Sequence, residues 1–412
     1  MMRLLELLVV ALPLTALSVV VGGHAVEPAW VLAAGIALLY FLERLARPDR
    51  APPRGTGWAL AVLLFVGLGL FALAWSPYAT RAAGAKGAIQ AAGILCALGT
   101  ALAVVRCVEG RPERFARLVR LLVVVLFWVA AIGLAQFVLF NVLRLPAGGE
   151  FEFLNSITGN PKAWRYPGQL GGIVRVNSIA AEPAHLAQYL ATVSGLVWLR
   201  LGALGRSRAE EVRAYVSRGE AAAILLCAVL TLSLVGWGAF LVALVALVVF
   251  SRRISLGRAL PAAVAVAVAA GAALLWIGRT ERALGVKLAT IPTVLAAAGD
   301  VGDTVDTPAI SAIAVLGNRV VTAANLERRP LVGIGLGAHP ESFAAVAPQW
   351  EGISAKLNAE DASGLLLRLL SETGVVGATL FVGVWALVLV RARRRVLSAR
   401  VASAGAPSVP PG

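Results

Sequence analysis

Groups that bind metals or form disulfide frameworks are scarce in this chain. Its 412 residues include three Cys and three His. Cys96 and Cys227 lie inside apolar runs, Cys107 ends one, and no Cys-x-x-Cys occurs. The thiols therefore read as small apolar residues, and the scattered His supply no metal cage. Charge is scarce too. Only 14% of residues are charged while 59% are apolar, and mean hydropathy is +0.83. An ordinary globular protein has about 25% charged and 45–50% apolar residues. This excludes a soluble enzyme, a disordered scaffold and a small secreted disulfide protein. No P-loop is present, and Gly333-x-Gly335-x-Gly337 has neither the third spacing nor the β-α-β setting of a dinucleotide fingerprint. Nor is there an internal repeat.

The apolar residues come in runs of about 18–25, the length that crosses ~30 Å of hydrocarbon at 1.5 Å per helical residue. Ten such spans are expected, at 4–23, 29–46, 57–75, 86–105, 121–142, 179–200, 220–236, 237–251, 259–278 and 364–390. Each must be helical or shielded by protein, because lipid offers no partner to free backbone groups. The fold class is all-α, a polytopic membrane protein. Gly236-Trp237-Gly238 reads as a tight turn between the seventh and eighth spans. The first run ends in Gly23-His24-Ala25, which resembles a leader-cleavage site, but Glu6 and the run's length favour a retained span.

The formal charge is +15, and 33 of 37 basic residues are Arg. Alternate short loops hold 23 of the 37, which places those loops and both termini in the cytoplasm. The long loops at 143–178 and 279–363 then face outward. The second is unusually long and carries helical stretches near 281–298 and 308–327. It holds seven Lys and Arg against nine Asp and Glu, so it is no basic surface for nucleic acid. Residues 1–400 are expected to form one transmembrane domain, and 401–412 a disordered tail.

Ionisable groups within or beside spans mark candidate sites. Glu182-Pro183 opens the sixth span after Arg175, with Ser178 or Asn177 as candidate helix caps. Glu182 either favours the helix dipole or orients an Arg and accepts a proton. His185 lies one turn on and reads as a packed polar group. Arg368 and Glu372 share a face of the last span at i, i+4, as a structural lock or as the lining of a polar cavity. The outer Arg165, Arg175, Arg282 and Arg319 could each fork onto phosphate oxygens. The glycine loop at 333–337 reads as a turn that lets backbone approach closely, and His339 after it is either a loop residue or a proton acceptor.

Three stretches together resemble the O-antigen polymerase and ligase superfamily of bacterial inner membranes. These are Arg175-x-x-Ser178-x-x-x-Glu182-Pro183; Thr231-Leu-Ser233-x-x-x-Trp237, where Val235 replaces a usual basic residue; and Asn318-Arg319 followed by Arg329-Pro330-Leu331-x-Gly333-x-Gly335-x-Gly337 and Leu366-x-Arg368-Leu-Leu-x-Glu372-x-Gly374-x-x-Gly377. The resemblance implies a metal-independent glycosyltransferase without cofactor. It would move a glycan from an undecaprenyl diphosphate carrier in the membrane to a glycan or lipid A core acceptor at the periplasmic face. It assigns catalytic roles to Arg175, Glu182 and Arg319, and substrate contacts to Arg165, Arg282, His339, Arg368 and Glu372. Many ligases carry His-Asn where this chain has Ser363-Gly364, a departure that favours a repeat-unit polymerase over a ligase. A secondary transporter is the rival from another class, and would show repeat symmetry and broken helices.

Overall fold

A computed structural model describes residues 1–21, 24–49, 53, 56–145, 153–158, 169–170, 173–180, 182–202, 206–251, 309–347 and 364–404. In chain order the helices are α1 (Met2–Ala11), α2 (Pro28–Ala46), α3 (Trp58–Ala74), α4 (Arg81–Val108), α5 (Pro112–Phe137), α6 (Phe153–Thr158), α7 (Pro183–Ala191), α8 (Ser194–Arg200), α9 (Arg206–Glu211), α10 (Arg218–Leu230), α11 (Leu234–Ser251), α12 (Ala309–Arg328), α13 (His339–Val346) and α14 (Leu365–Ala404). A 3-10 turn (Thr15–Leu17), a π-helical turn (Val138–Val142) and two short antiparallel hairpins, β1 (Val19–Val21) with β2 (His24–Val26) and β3 (Gln169–Leu170) with β4 (Ile173–Val174), complete the set among the described residues. The protein is mostly helical. Among the described residues, four helical stretches are long and apolar enough to cross a membrane: Pro28–Ala46, Arg81–Val108, Pro112–Val142 and Leu365–Val388.

Several expected spans are interrupted. The first run stops being helical at Ala11, two residues before Pro13, and Val19–Val21 then enters a hairpin as β-branched runs favour. The sixth breaks at Thr192-Val193, where Thr192 Oγ1 donates to Tyr189 O at 2.6 Å and Ser194 Oγ to Ala191 O at 2.6 Å. Such hydroxyls compete with the helical backbone. Between the seventh and eighth spans the turn lies at Thr231–Ser233, not at Gly236–Gly238. Leu232 takes φ 51°, and the two glycines sit inside α11. Gly236 is explained by packing instead, since a Cβ there would strike the Ala187 Cβ of α7. The ninth span lies outside the described residues, as does the helical stretch near 281–298; the one near 308–327 is α12. At the C-terminus α14 runs to Ala404, into the stretch expected to be a disordered tail.

The chain divides into two compact units. Unit 1 comprises Met1–Pro48 and Gly99–Gly285; unit 2 comprises Asp49–Leu98 and Val286–Gly412. In unit 1, α5 packs on α1 and α10, and α7 and α8 pack on α11 and α10. Val123, Leu126, Leu186, Leu190, Val197 and Ile224 are fully buried at its centre. Trp198 Nε1 donates to Phe240 O at 2.8 Å, which satisfies the indole N–H inside this core. Ser217 and Glu220 form a capping box at the start of α10, and Arg120 Nη1 meets Glu220 Oε2 at 2.7 Å.

In unit 2, α14 packs on α3 and α12 around Phe65, Val66, Leu369 and Ala378. Gly374, at φ 62° and ψ −167°, interrupts α14. The interruption exchanges hydrogen-bond partners. The Ser371 and Glu372 carbonyls accept from the Ile334 and Gly335 amides at 3.0 and 2.8 Å, while the Val375 and Val376 amides donate to Pro330 and Leu331 O at 2.9 and 3.1 Å. The glycine loop thus takes the place of a missing helical turn and pairs these four backbone groups at the break.

Candidate functional site

In unit 1, the apolar helical stretch Pro112–Val142 carries two amides near its end, Gln136 in α5 and Asn141 in the π-helical turn that follows it. Asn141 Nδ2 donates to Val174 O at 3.0 Å and its Oδ1 accepts from Val174 N at 2.8 Å. One turn earlier, buried Gln136 accepts from Ser178 N at 2.7 Å and donates to Ser178 O at 3.5 Å. Ser178 Oγ donates to Val129 O at 2.8 Å. Both amides act as strand-like partners for a backbone that has left regular structure. Ser178 needs this, because a side chain at φ 52° costs about 1–2 kcal/mol. Neither Asn177 nor Ser178 caps the following helix. Glu182 is its N-cap residue, makes no side-chain cap bond, and precedes Pro183 at the first position.

Arg175 lies between the two clamps. Its Nε donates to Thr231 O at 3.3 Å, a carbonyl released where α10 ends. Burial lowers the guanidinium pKa, and the Glu182 carboxylate opposes that shift. Among the described residues, no hydrogen bond is made by its two terminal nitrogens. His185 is exposed on α7, whereas Leu186 and Leu190 are buried. The Arg175 and Thr231 stretches, far apart in sequence, therefore meet in unit 1.

In unit 2 a buried polar circuit joins α12, α13 and α14. His339 Nε2 lies 2.8 Å from Asn318 Oδ1, and its Nδ1 lies 2.9 Å from Ser371 Oγ. Asn325 Nδ2 donates to Ser371 Oγ at 2.9 Å, and Ser342 Oγ donates to Asn325 Oδ1 at 2.7 Å. One proton arrangement satisfies all of these: Nε2 carries the hydrogen and Nδ1 accepts from the Ser371 hydroxyl. The ring is 1% exposed. Its pKa is lowered to about 4, first by burial and then by the charges of Arg368 and Lys86. His339 is thus a neutral link between helices.

Next to this circuit Glu372 is also buried. Arg368 Nε approaches its Oε2 at 3.5 Å, the i, i+4 pair expected from the sequence, with the Arg368 side chain 24% exposed. The glycine loop allows close approach. A Cβ at Gly333, itself at φ 66°, would lie 2.5 Å from Gly374 N, and Gly335 and Gly337 meet the backbone of Leu73 and Gly87. Arg328 Nη1 donates to the Tyr78 hydroxyl at 2.6 Å, and Arg329 Nη2 to Trp75 O. Arg319 stands exposed on α12 beside buried Asn318.

Of the candidate residues, Arg175 and Glu182 belong to unit 1, and Arg319, His339, Arg368 and Glu372 to unit 2. Arg165 and Arg282 lie outside the described residues. The reading of residues overlooked Gln136, Asn141, Asn325 and Ser371. The two amides in the fifth apolar run were its only available signal, since an amide in hydrocarbon requires a partner. Among the described residues, no group of three or more His, Cys, Asp and Glu is placed to hold a metal. No family model matches the chain, and neither a curated protein nor a solved structure was found similar to it.

Proposed function

We propose that this chain is a glycosyltransferase of a bacterial inner membrane. It has about ten spans, both termini in the cytoplasm and its long loops in the periplasm. It takes a glycan from an undecaprenyl diphosphate carrier and joins it to an acceptor, as a repeat-unit polymerase in preference to a ligase acting on lipid A core. The observation that carries this reading is the setting of Arg175. Its guanidinium is half-buried, fixed through Nε, and held on a backbone that the Gln136 and Asn141 amides clamp. The terminal nitrogens then present a planar fork suited to diphosphate oxygens, where negative charge grows as the glycosidic bond breaks. Arg319 adds an exposed cation on α12. Glu182 orients Arg175 or takes the acceptor's proton.

Purified protein supplied with lipid-diphosphate-linked saccharide tests the reading. Arg175→Lys and Arg319→Lys each lose most transfer, because an ammonium cannot replace a bidentate fork. An unchanged product ladder from both variants refutes it. One observation favours a second reading, a secondary transporter: helices are interrupted at Thr192-Val193, Thr231–Ser233 and Gly374. Saccharide-independent, ion-coupled uptake by proteoliposomes would establish that alternative.

A further inference from the structure

Two helices of unit 1 open in the same way. Glu27 is the N-cap residue of α2 and Glu182 that of α7; each precedes a proline, and neither side chain makes a cap bond to its own helix. The favoured N-cap side chains accept from the free N–H groups of the first turn, so both carboxylates are left to act on other groups. The Glu182 carboxylate faces Arg175. Glu27 faces α7, within electrostatic reach of His185 and of Tyr189, which lie one turn apart on that helix. Burial raises the Glu27 carboxyl above its ordinary range, and His185 opposes the shift. His185 itself is exposed, three residues after Glu182. An imidazole turned toward lipid is costly; one set among two carboxylates and a guanidinium has polar surroundings.

We propose that His185 takes the proton of the acceptor hydroxyl, that Glu27 stabilises the imidazolium so formed, and that Glu182 orients Arg175. These roles rest on the transferase function proposed above, where Glu182 had two. The acceptor oxygen gives its hydrogen to a neutral imidazole nitrogen and forms the bond to the anomeric carbon. The bond from that carbon to the carrier breaks, and its electron pair goes to the diphosphate oxygen, whose charge Arg175 meets. The proton later leaves His185 for water. A half-buried carboxylate gains from a positive neighbour, and His185 becomes one only as it accepts the proton. The attraction between Glu27 and His185 is therefore stronger in the transition state than in the ground state, which is the condition for raising the rate. Among the described residues, the titratable groups on the side of the imidazole are Glu27 from α2 and Glu182 and Tyr189 from α7, with Arg175 next to Glu182. Of the other helices packed on α7, α11 has no charged residue. α5 and α10 approach Ser178 and Arg175 through Gln136 and Thr231, and carry their charges in the opening turns at their other ends.

The full chain in nanodiscs is supplied with lipid-diphosphate-linked saccharide, and transfer is followed across pH. His185 is exposed, so His185→Gln should fold; it lowers transfer about a hundredfold or more, the range of a positioned general base, with donor affinity unchanged. Glu27→Gln moves the acid limb of the pH–rate profile to lower pH, because the imidazolium loses its carboxylate. A merely structural Glu27 would lower the rate and leave the limb in place. Protein labelled at histidine reads the same coupling without turnover: the imidazole resonance that disappears in His185→Gln titrates at lower pH in Glu27→Gln than in wild type. An unchanged titration in Glu27→Gln overturns the pairing. An acid limb that survives in His185→Gln but is lost in Glu182→Gln overturns the assignment and gives the proton to Glu182. A wild type that transfers no saccharide refutes the transferase function together with these roles, whereas an active wild type indifferent to His185→Gln removes the roles alone.

Discussion

The two units use polar side chains in opposite ways. In unit 1 the amides of Gln136 and Asn141 spend their capacity on backbone, at Ser178 and Val174, and the cation between them donates through Nε to Thr231 O. In unit 2 the polar side chains bond mostly to one another, through His339, Ser371, Asn325 and Ser342. The first arrangement fixes a loop. The second ties three helices together. A segment that has left regular structure needs its N–H and C=O groups paired before anything else. Helices arrive with theirs already paired, so their polar side chains are available for cross-linking.

The largest expected effect comes from breaking unit 2 where its backbones interlock. Gly333→Ala puts a methyl 2.5 Å from Gly374 N at a position of φ 66°. Left-handed strain and overpacking together cost about 3 kcal/mol or more. The variant should fail to yield monodisperse protein in detergent, whereas Gly35→Ala, which meets nothing within 4 Å, should leave stability nearly unchanged. Equal melting temperatures for the two would remove the close approach as the reason for the glycine.

Next in size is the response of the His339 circuit to acid. The folded state holds His339 with a pKa of about 4, against 6.5 for a free imidazole. Since the folded pKa is depressed, the contribution is complete above pH 6.5. It is lost as pH falls from 6.5 toward 4, because the unfolded chain then binds the proton more tightly. The full swing is of order 3 kcal/mol. Thermal denaturation between pH 7.5 and 4.5 should show a steeper decline for wild type than for His339→Gln, which keeps a donor and an acceptor but does not titrate. Parallel curves would place the proton elsewhere.

These cases show what the sequence could and could not reveal. Apolar run length identified α2, α4, α5 and α14, because a helix long enough to cross a bilayer announces itself in composition alone. The Arg368–Glu372 pair was legible from i, i+4 spacing, and the glycine loop from its spacing and Pro330. Helix interruptions were not. Thr192, Leu232 and Pro13 act through single hydroxyl, backbone or ring effects that leave hydropathy unchanged, and the paired glycines at 236 and 238 drew the turn to the wrong place. The His339 circuit was illegible for a different reason. Asn318, Asn325, Ser342 and Ser371 are ordinary residues on three segments, and only their convergence gives them meaning. His339 itself read as a loop residue or a proton acceptor; Pro340 and Glu341 mark the first turn of α13, but no local pattern says that its ring is buried.

The smallest expected change in stability tests the unit 1 side of the comparison. Asn141→Leu removes the two bonds to Val174 and leaves that buried residue's N–H and C=O to seek other partners. The cost is about 1–2 kcal/mol, so most of the protein should still fold. Arg175, one residue from Val174, should nonetheless lose its placement. If Asn141 serves to hold that guanidinium, glycan transfer falls by tenfold or more in the folded fraction, because displacement of a positioned group by about 1 Å costs up to a hundredfold. Gln136→Leu should behave alike through Ser178. Transfer that tracks the amount of folded protein, with no further loss per folded molecule, would make the two amides structural ties and remove the contrast between the units.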